Sequence, residues 1–132
     1  MVVPALKRGG YTVESQVDIG ARLGRGRHVV DLVAVAETGE VYLVSLKWQQ
    51  TSGTAEQKVP FEAICLAEAL RNNPGKYHGA YLVLGGEGWK LRGFYTEGGL
   101  RGHLRYGDLV DIVTLERFVA LANQGRLEAH PH

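Results

Sequence analysis

Four polar side chains stand out by type and spacing. Asp31 lies inside the apolar run His28 to Ala36 (HVVDLVAVA), where a carboxylate is costly unless it is paired, hydrogen-bonded or bound to a cation. Lys47 closes a second apolar run, Val41 to Trp48, two positions after Ser45, and Gln49 follows it. Residues two apart on a strand share a face, so Ser45 and Lys47 point the same way. The intervening Glu37-Thr38-Gly39-Glu40 reads as a tight turn joining two antiparallel strands. Counted outward from that turn, Asp31 and Lys47 come roughly opposite each other, with Ser45 and Gln49 on the same edge. Two chemistries suit an acid and an amine placed so. One is a partly buried salt bridge, which is weak evidence for stability. The other is a site where the carboxylate holds a divalent cation and the amine steadies developing negative charge.

The elements that must position these groups follow from periodicity. Tyr11 to Ile19 alternates, with Tyr11, Val13, Ser15, Val17 and Ile19 on one side and Thr12, Glu14, Gln16 and Asp18 on the other, which predicts a first strand. Gly20 to Arg27 is rich in glycine and arginine and predicts a hairpin connection. His28 to Ala36 is continuously apolar, as in a strand buried on both faces. Thr54 with Gln57 three positions on makes a capping box, and a helix follows to about Arg71, stopped by Asn72-Asn73-Pro74-Gly75. Pro60 requires either that this helix kinks or that it begins there. His78 to Leu84 predicts a fourth strand, Asp108 to Thr114 a short fifth, and Leu115 to Gln124 a terminal amphipathic helix. Residues 88–107 predict loops with one helical turn, and a short helix fits before Gly9-Gly10. The expected fold is α/β (α+β), a mixed sheet of 4–5 strands flanked by helices.

Composition narrows the class. The chain has 132 residues, 45% hydrophobic, which fits one domain (residues 1–127) with a C-terminal tail at 128–132 expected to be mobile. A lone cysteine excludes an internal disulfide framework and a cysteine-rich zinc site, and it suits a reducing, cytoplasmic setting. Met1-Val2-Val3-Pro4 lacks a signal-peptide layout, and no run approaches the ~20 apolar residues of a membrane span. The net charge of +1 makes no global case for a polyanionic partner. Locally, however, Lys7, Arg8, Arg22, Arg25 and Arg27 face only Glu14 and Asp18 in the first thirty residues. Residues 88–106 carry a second basic stretch, so a basic face for phosphates and an ordinary solvated surface both fit.

A strand with a central aspartate, a turn, and a strand ending in x-x-Lys resembles the core of the PD-(D/E)XK nuclease superfamily, whose restriction-endonuclease-like αβββαβ order matches residues 3–84. The resemblance implies a metal-binding role for Asp31 and a catalytic role for Lys47, and it makes Glu14 similar to the upstream acid of many members. The family places Asp or Glu two residues before the lysine, whereas this chain has Ser45 there. A restriction-endonuclease branch shares the Ser-x-Lys form and takes the missing acid from the following helix. By that spacing the acid is Glu62, fifteen residues after Lys47, with Glu56 the less favoured candidate.

The activity so implied is divalent-metal-dependent hydrolysis of DNA by a homodimer with Mg2+ or Mn2+; the competing reading is an inactive module of the same fold that binds DNA or protein. Magnesium takes hard oxygen ligands, here Asp31, Glu62, Glu14 and the Leu46 carbonyl. Gln49 and Gln57 would bond phosphate or water, Lys58 would add charge, and Arg22, Arg25 and Arg27 would grip the nucleic-acid backbone. Other features read as structural: Gly85-Gly86-Glu87-Gly88 as a turn, Cys65 as core, and His28, His78 and His103 as scattered structural or exposed residues. Trp48 and Trp89 suit either base stacking or anchoring of the sheet edge.

Overall fold

The computed structural model describes residues 1–130 apart from Arg22, Arg25, Ser52 and Thr54, with Pro131 and His132 also outside the description. The capping box at Thr54 and two of the arginines expected to bind nucleic acid therefore lie outside the described residues. The elements run α1 (Val2–Arg8), β1 (Thr12–Ala21), β2 (Arg27–Val35), β3 (Val41–Trp48), α2 (Ala55–Asn72), β4 (Gly79–Gly85), α3 (Arg92–Thr96), β5 (Val110–Thr114) and α4 (Leu115–Asn123). Between α3 and β5 lie only short 3-10 turns, in keeping with the glycine content of that stretch. No described helix is long and apolar enough to cross a membrane.

The five strands form one mixed sheet in the order β1-β2-β3-β4-β5. The first three make an antiparallel meander, and α2 then carries the chain across so that β4, and later β5, run parallel to β3. Helix α2 covers one face through Val59, Ala63, Leu66 and Leu70, packed with Val30, Leu43, Leu82 and Leu84. Helices α1 and α4 cover the other through Leu6, Phe118 and Ala122, packed with Leu32, Val44, Tyr81 and Val83. Burial on both faces explains the near-continuous apolar character of β3 and β4.

Strand β1 departs from simple alternation. Tyr11 and Val13 belong to the α1/α4 side, whereas Val17 and Ile19 pack on the α2 side. The switch occurs at Gln16, the single non-glycine with positive φ (53°) among the described residues. A left-handed residue reverses which side of the strand the following side chains occupy. Strand β2 switches at the same level: Ser15 stands opposite Leu32 and Val17 opposite Val30, leaving Gln16 and Asp31 between them. Val30 joins the α2-side core while Leu32 and Ala34 join the other. The single-sided apolar stripe expected for Tyr11 to Ile19 is thus two half-stripes.

Helix α2 begins at Ala55, and Pro60 sits inside it. Proline cannot donate to the carbonyl four residues earlier, which is that of Glu56. That carbonyl accepts instead from the Tyr95 hydroxyl at 2.9 Å. The helix therefore does not begin at Pro60 but five residues earlier, with α3 supplying the missing donor. At the C-terminus, Leu127 is buried, and the Glu128 and His130 amides donate to the Tyr81 hydroxyl (2.8 Å) and the His78 carbonyl (2.9 Å).

Candidate active site

The β2–β3 ladder pairs Val35 with Val41, Ala34 with Tyr42, Val33 with Leu43 and Leu32 with Val44. Continued one step, it sets Asp31 level with Ser45, not with Lys47, which corrects the register expected from the sequence. The turn is responsible: Ala36 and Glu40 close it through the Ala36 amide and the Glu40 carbonyl (2.9 Å), centring the hairpin on Thr38, and turn geometry fixes register. Past Leu32 and Val44 the partners part. Strand β2 stays with β1 as far as Arg27, while β3 stays with β4 as far as Trp48. The sheet forks there, and Asp31, Ser45, Leu46 and Lys47 line the mouth of the fork.

Two carboxylates grip the fork from different sides. Asp31 reaches across it in the plane of the sheet and accepts the Leu46 amide at 2.6 Å, satisfying a backbone donor that the parted strand no longer bonds. Glu62, buried on α2, accepts a short hydrogen bond from the Ser45 hydroxyl. Buried His28, from β2, places its Nε2 3.3 Å from the same Glu62 oxygen and donates when that nitrogen carries the proton. Consecutive residues of β3 are therefore held by two acids from two other elements. Burial pushes the Glu62 carboxyl up, but the His28 and Ser45 hydrogen bonds and the nearby His28 and Lys47 charges outweigh it and hold the group below its ordinary 4.5. The half-buried Lys47 shares the α2-facing side of β3 with Ser45. Its charge reaches Glu62.

The other expected site residues are placed as follows. Gln49 is buried, and its side chain is fully engaged: Nε2 donates to Gly88 O (2.8 Å) and Glu56 Oε1 (3.2 Å), while Oε1 accepts the Ala55 amide (3.0 Å) at the start of α2. It braces the loop after β3 against the loop after β4 and faces no open fork. Glu56 does likewise, taking the Lys90 and Leu91 amides at 2.5 and 3.1 Å. Glu14 is exposed on β1 opposite Val33. Gln57 and Lys58 are exposed on the first turn of α2, and Arg27 is exposed and paired with Asp18 (3.0 Å). Arg101, from the second basic stretch, is spent on Asp111 at 3.2 Å. Gly85 to Gly88 is a closed turn whose Gly88 amide donates to Gln49 O. The sequence reading gave His28 no part in the site; its position three residues before Asp31, on a strand crossed by α2, is the signal that would have found it.

Among the described residues, the group of three metal-ligating side chains that closes within 4.8 Å is Asp111, Glu128 and His130 at the far edge of the sheet, not a set built on Asp31. At the fork the donors are two carboxylates, each with one oxygen engaged in the bonds above and one left over. Hard oxygens in that number fit a magnesium-type ion, which takes one or two carboxylates and completes its shell with substrate and water.

A mixed five-stranded sheet between helices, with acids and an amine at a fork between its central strands, is a restriction-endonuclease-like α/β fold. The chain belongs to the PD-(D/E)XK nuclease superfamily: the model of the PD-(D/E)XK nuclease superfamily domain matches residues 1–126. A crystal structure described as a protein of unknown function, AF1548, is similar to it in fold, with a TM-score of 0.52 and 13% identity; the match covers 86% of this chain and 54% of that one. This chain thus spans about half the length of that protein. No curated protein sequence matches it.

Proposed function

We propose that the chain is a divalent-metal-dependent nuclease acting on DNA, and that Glu62 replaces the acid missing at Ser45. The observation that carries this reading is the clasp on β3: Asp31 on the Leu46 amide and Glu62 on the Ser45 hydroxyl, with Lys47 on the same face of β3 as Ser45. In the superfamily pattern the second acid would stand on the strand at residue 45. Here the serine hydroxyl receives an acid from α2, so a carboxylate reaches the same place from another element. Asp31 and Glu62 would hold Mg2+ or Mn2+, which would neutralise phosphate charge and lower the pKa of an attacking water. Lys47 orients that water and steadies the negative charge growing on phosphorus-bound oxygen. Ser45 and His28 hold Glu62 in place and ionised. Gln49 and Glu56 brace the surrounding loops.

The engagement of one Glu62 oxygen by both Ser45 and His28 is what favours the second reading, a non-catalytic module of the same fold. Plasmid, single-stranded and branched DNA incubated with Mg2+ or Mn2+ separates the two. Cleavage that disappears in both Asp31→Asn and Lys47→Ala is expected. Intact DNA binding without cleavage, and without calorimetric metal binding that depends on Asp31 and Glu62, would establish the module instead.

A further inference from the structure

One strained residue lies in the row of the sheet that holds the fork. Among the described residues, Gln16 is the single non-glycine with positive φ, at 53°. An L side chain crowds the backbone in that region; such residues persist only where the surrounding structure holds them, and they cluster at functional sites. Gln16 falls between the pairs Ser15–Leu32 and Val17–Val30, which sets it level with Asp31. The β2–β3 ladder, continued one step past Leu32–Val44, sets Asp31 level with Ser45. The strained residue, the acid that holds the Leu46 amide and the serine that holds Glu62 thus share one cross-strand row. The Gln16 side chain is exposed, whereas its backbone turn has two consequences at the fork.

The first consequence concerns His28. Leu32 and Ala34 face α1 and α4, and strict alternation along β2 would put Val30 and His28 on that side as well. Instead Val30 packs in the α2-side core and His28 meets Glu62 of α2. Reversal of the face at this row is therefore what brings the buried imidazole to the carboxylate. The second concerns Asp31. At the same row β2 leaves β3 while keeping β1 as far as Arg27, and the Leu46 amide is left for Asp31 at 2.6 Å. Irregular strand positions beside active sites act in both ways, re-aiming a side chain and ending pairing. We infer that Gln16 is a positioning residue whose left-handed backbone turns the β1–β2 ribbon over, and so sets Asp31 on the Leu46 amide and His28 on Glu62. Its effect on metal and on cleavage rests on the nuclease reading.

The test sets Gln16→Gly and Gln16→Asn, which enter the left-handed region readily, against the β-branched Gln16→Val and Gln16→Thr, which resist it. Each is compared with wild type where circular dichroism shows it folded. The readouts are nuclear Overhauser contacts between the His28 ring and the Glu62 side chain in metal-free protein, Mn2+ affinity by calorimetry, and plasmid cleavage. Gln16→Gly and Gln16→Asn should keep the contacts and bind Mn2+ within a few-fold of wild type. The β-branched variants should lose the contacts and bind Mn2+ about 10–100-fold more weakly, with a matching loss of cleavage. A folded β-branched variant with contacts and Mn2+ affinity unchanged would overturn the inference. So would loss of either in Gln16→Gly, because the side chain and not the backbone turn would then be responsible. Unfolding of both β-branched variants would assign the turn to the stability of the whole fold and overturn the positioning role. A wild type that neither binds Mn2+ nor cuts DNA would remove the nuclease reading, while the His28–Glu62 contacts in the same variants would still decide the role of Gln16.

Discussion

Glu56 and Glu62 are the same residue type on one helix, six positions apart, and both are buried. Their surroundings separate them. Glu56 sits where two loops meet and is filled by the Lys90 and Leu91 amides and by Gln49. Glu62 sits over the fork in the sheet and meets the side-chain donors of a serine and a histidine, with a lysine charge among those that lower its pKa. Backbone amides cannot turn away, so Glu56 is committed to structure. Side-chain donors can rearrange, so Glu62 keeps the freedom to bind something else. Burial alone therefore does not separate the two acids; the kind of donor around each does.

The comparison is tested most severely by activity. Lys47→Ala, Asp31→Asn and Glu62→Gln are each expected to lower cleavage by about 10²–10³-fold while leaving the melting transition cooperative, whereas Glu56→Gln should retain activity within a few-fold. Equal losses from the two glutamates in a nicking assay would erase the distinction drawn here. A swap of Glu62→Ser with Ser45→Asp moves the acid back onto the strand and should recover about ten-fold over Glu62→Ser alone, because the carboxylate's location matters and not the element that bears it.

Stability measurements sharpen the other half of the contrast. Removing Glu56 as Glu56→Ala strands the Lys90 and Leu91 amides and should cost about 2–3 kcal/mol in urea unfolding. Tyr95→Phe leaves the Glu56 carbonyl without the donor that Pro60 denies it, at a cost of about 1 kcal/mol. The smallest expected effect is in acid. The native Glu62 carboxyl is held below 4.5, so its contribution is present at neutral pH and is lost as the pH falls through that depressed value, when the native group must protonate. Denaturation midpoints of wild type should consequently drop more between neutral and acid pH than those of Glu62→Gln; parallel curves would show that Glu62 titrates normally.

Much of the fold was legible because its signals are local. The apolar runs around Asp31 and Lys47, the turn at Glu37 to Glu40 and the helix over residues 55–72 are each written in neighbouring residues. The meeting of Glu62 with Ser45 was anticipated only through the resemblance, whose spacing pointed to Glu62 before Glu56 as the candidate acid. The face switch at Gln16 was not, since glutamine carries no preference for a left-handed backbone and nothing nearby in sequence demands one. Nor was the role of Gln49, whose partners Ala55, Glu56 and Gly88 converge only after α2 and β4 are in place.

Residue types and periodicity by themselves determined the order of strands and helices, and they put an acid and an amine on adjacent strands of a PD-(D/E)XK-type core. Only the folded chain decided that β2 and β3 part after Leu32 and Val44, that His28 and Ser45 meet Glu62, and that Trp48 stays open while Trp89 is covered. The division has a physical cause. Backbone preference and amphipathic pattern act over a few residues, whereas fork position, register and exposure depend on a turn's closing bond and on contacts between residues tens of positions apart.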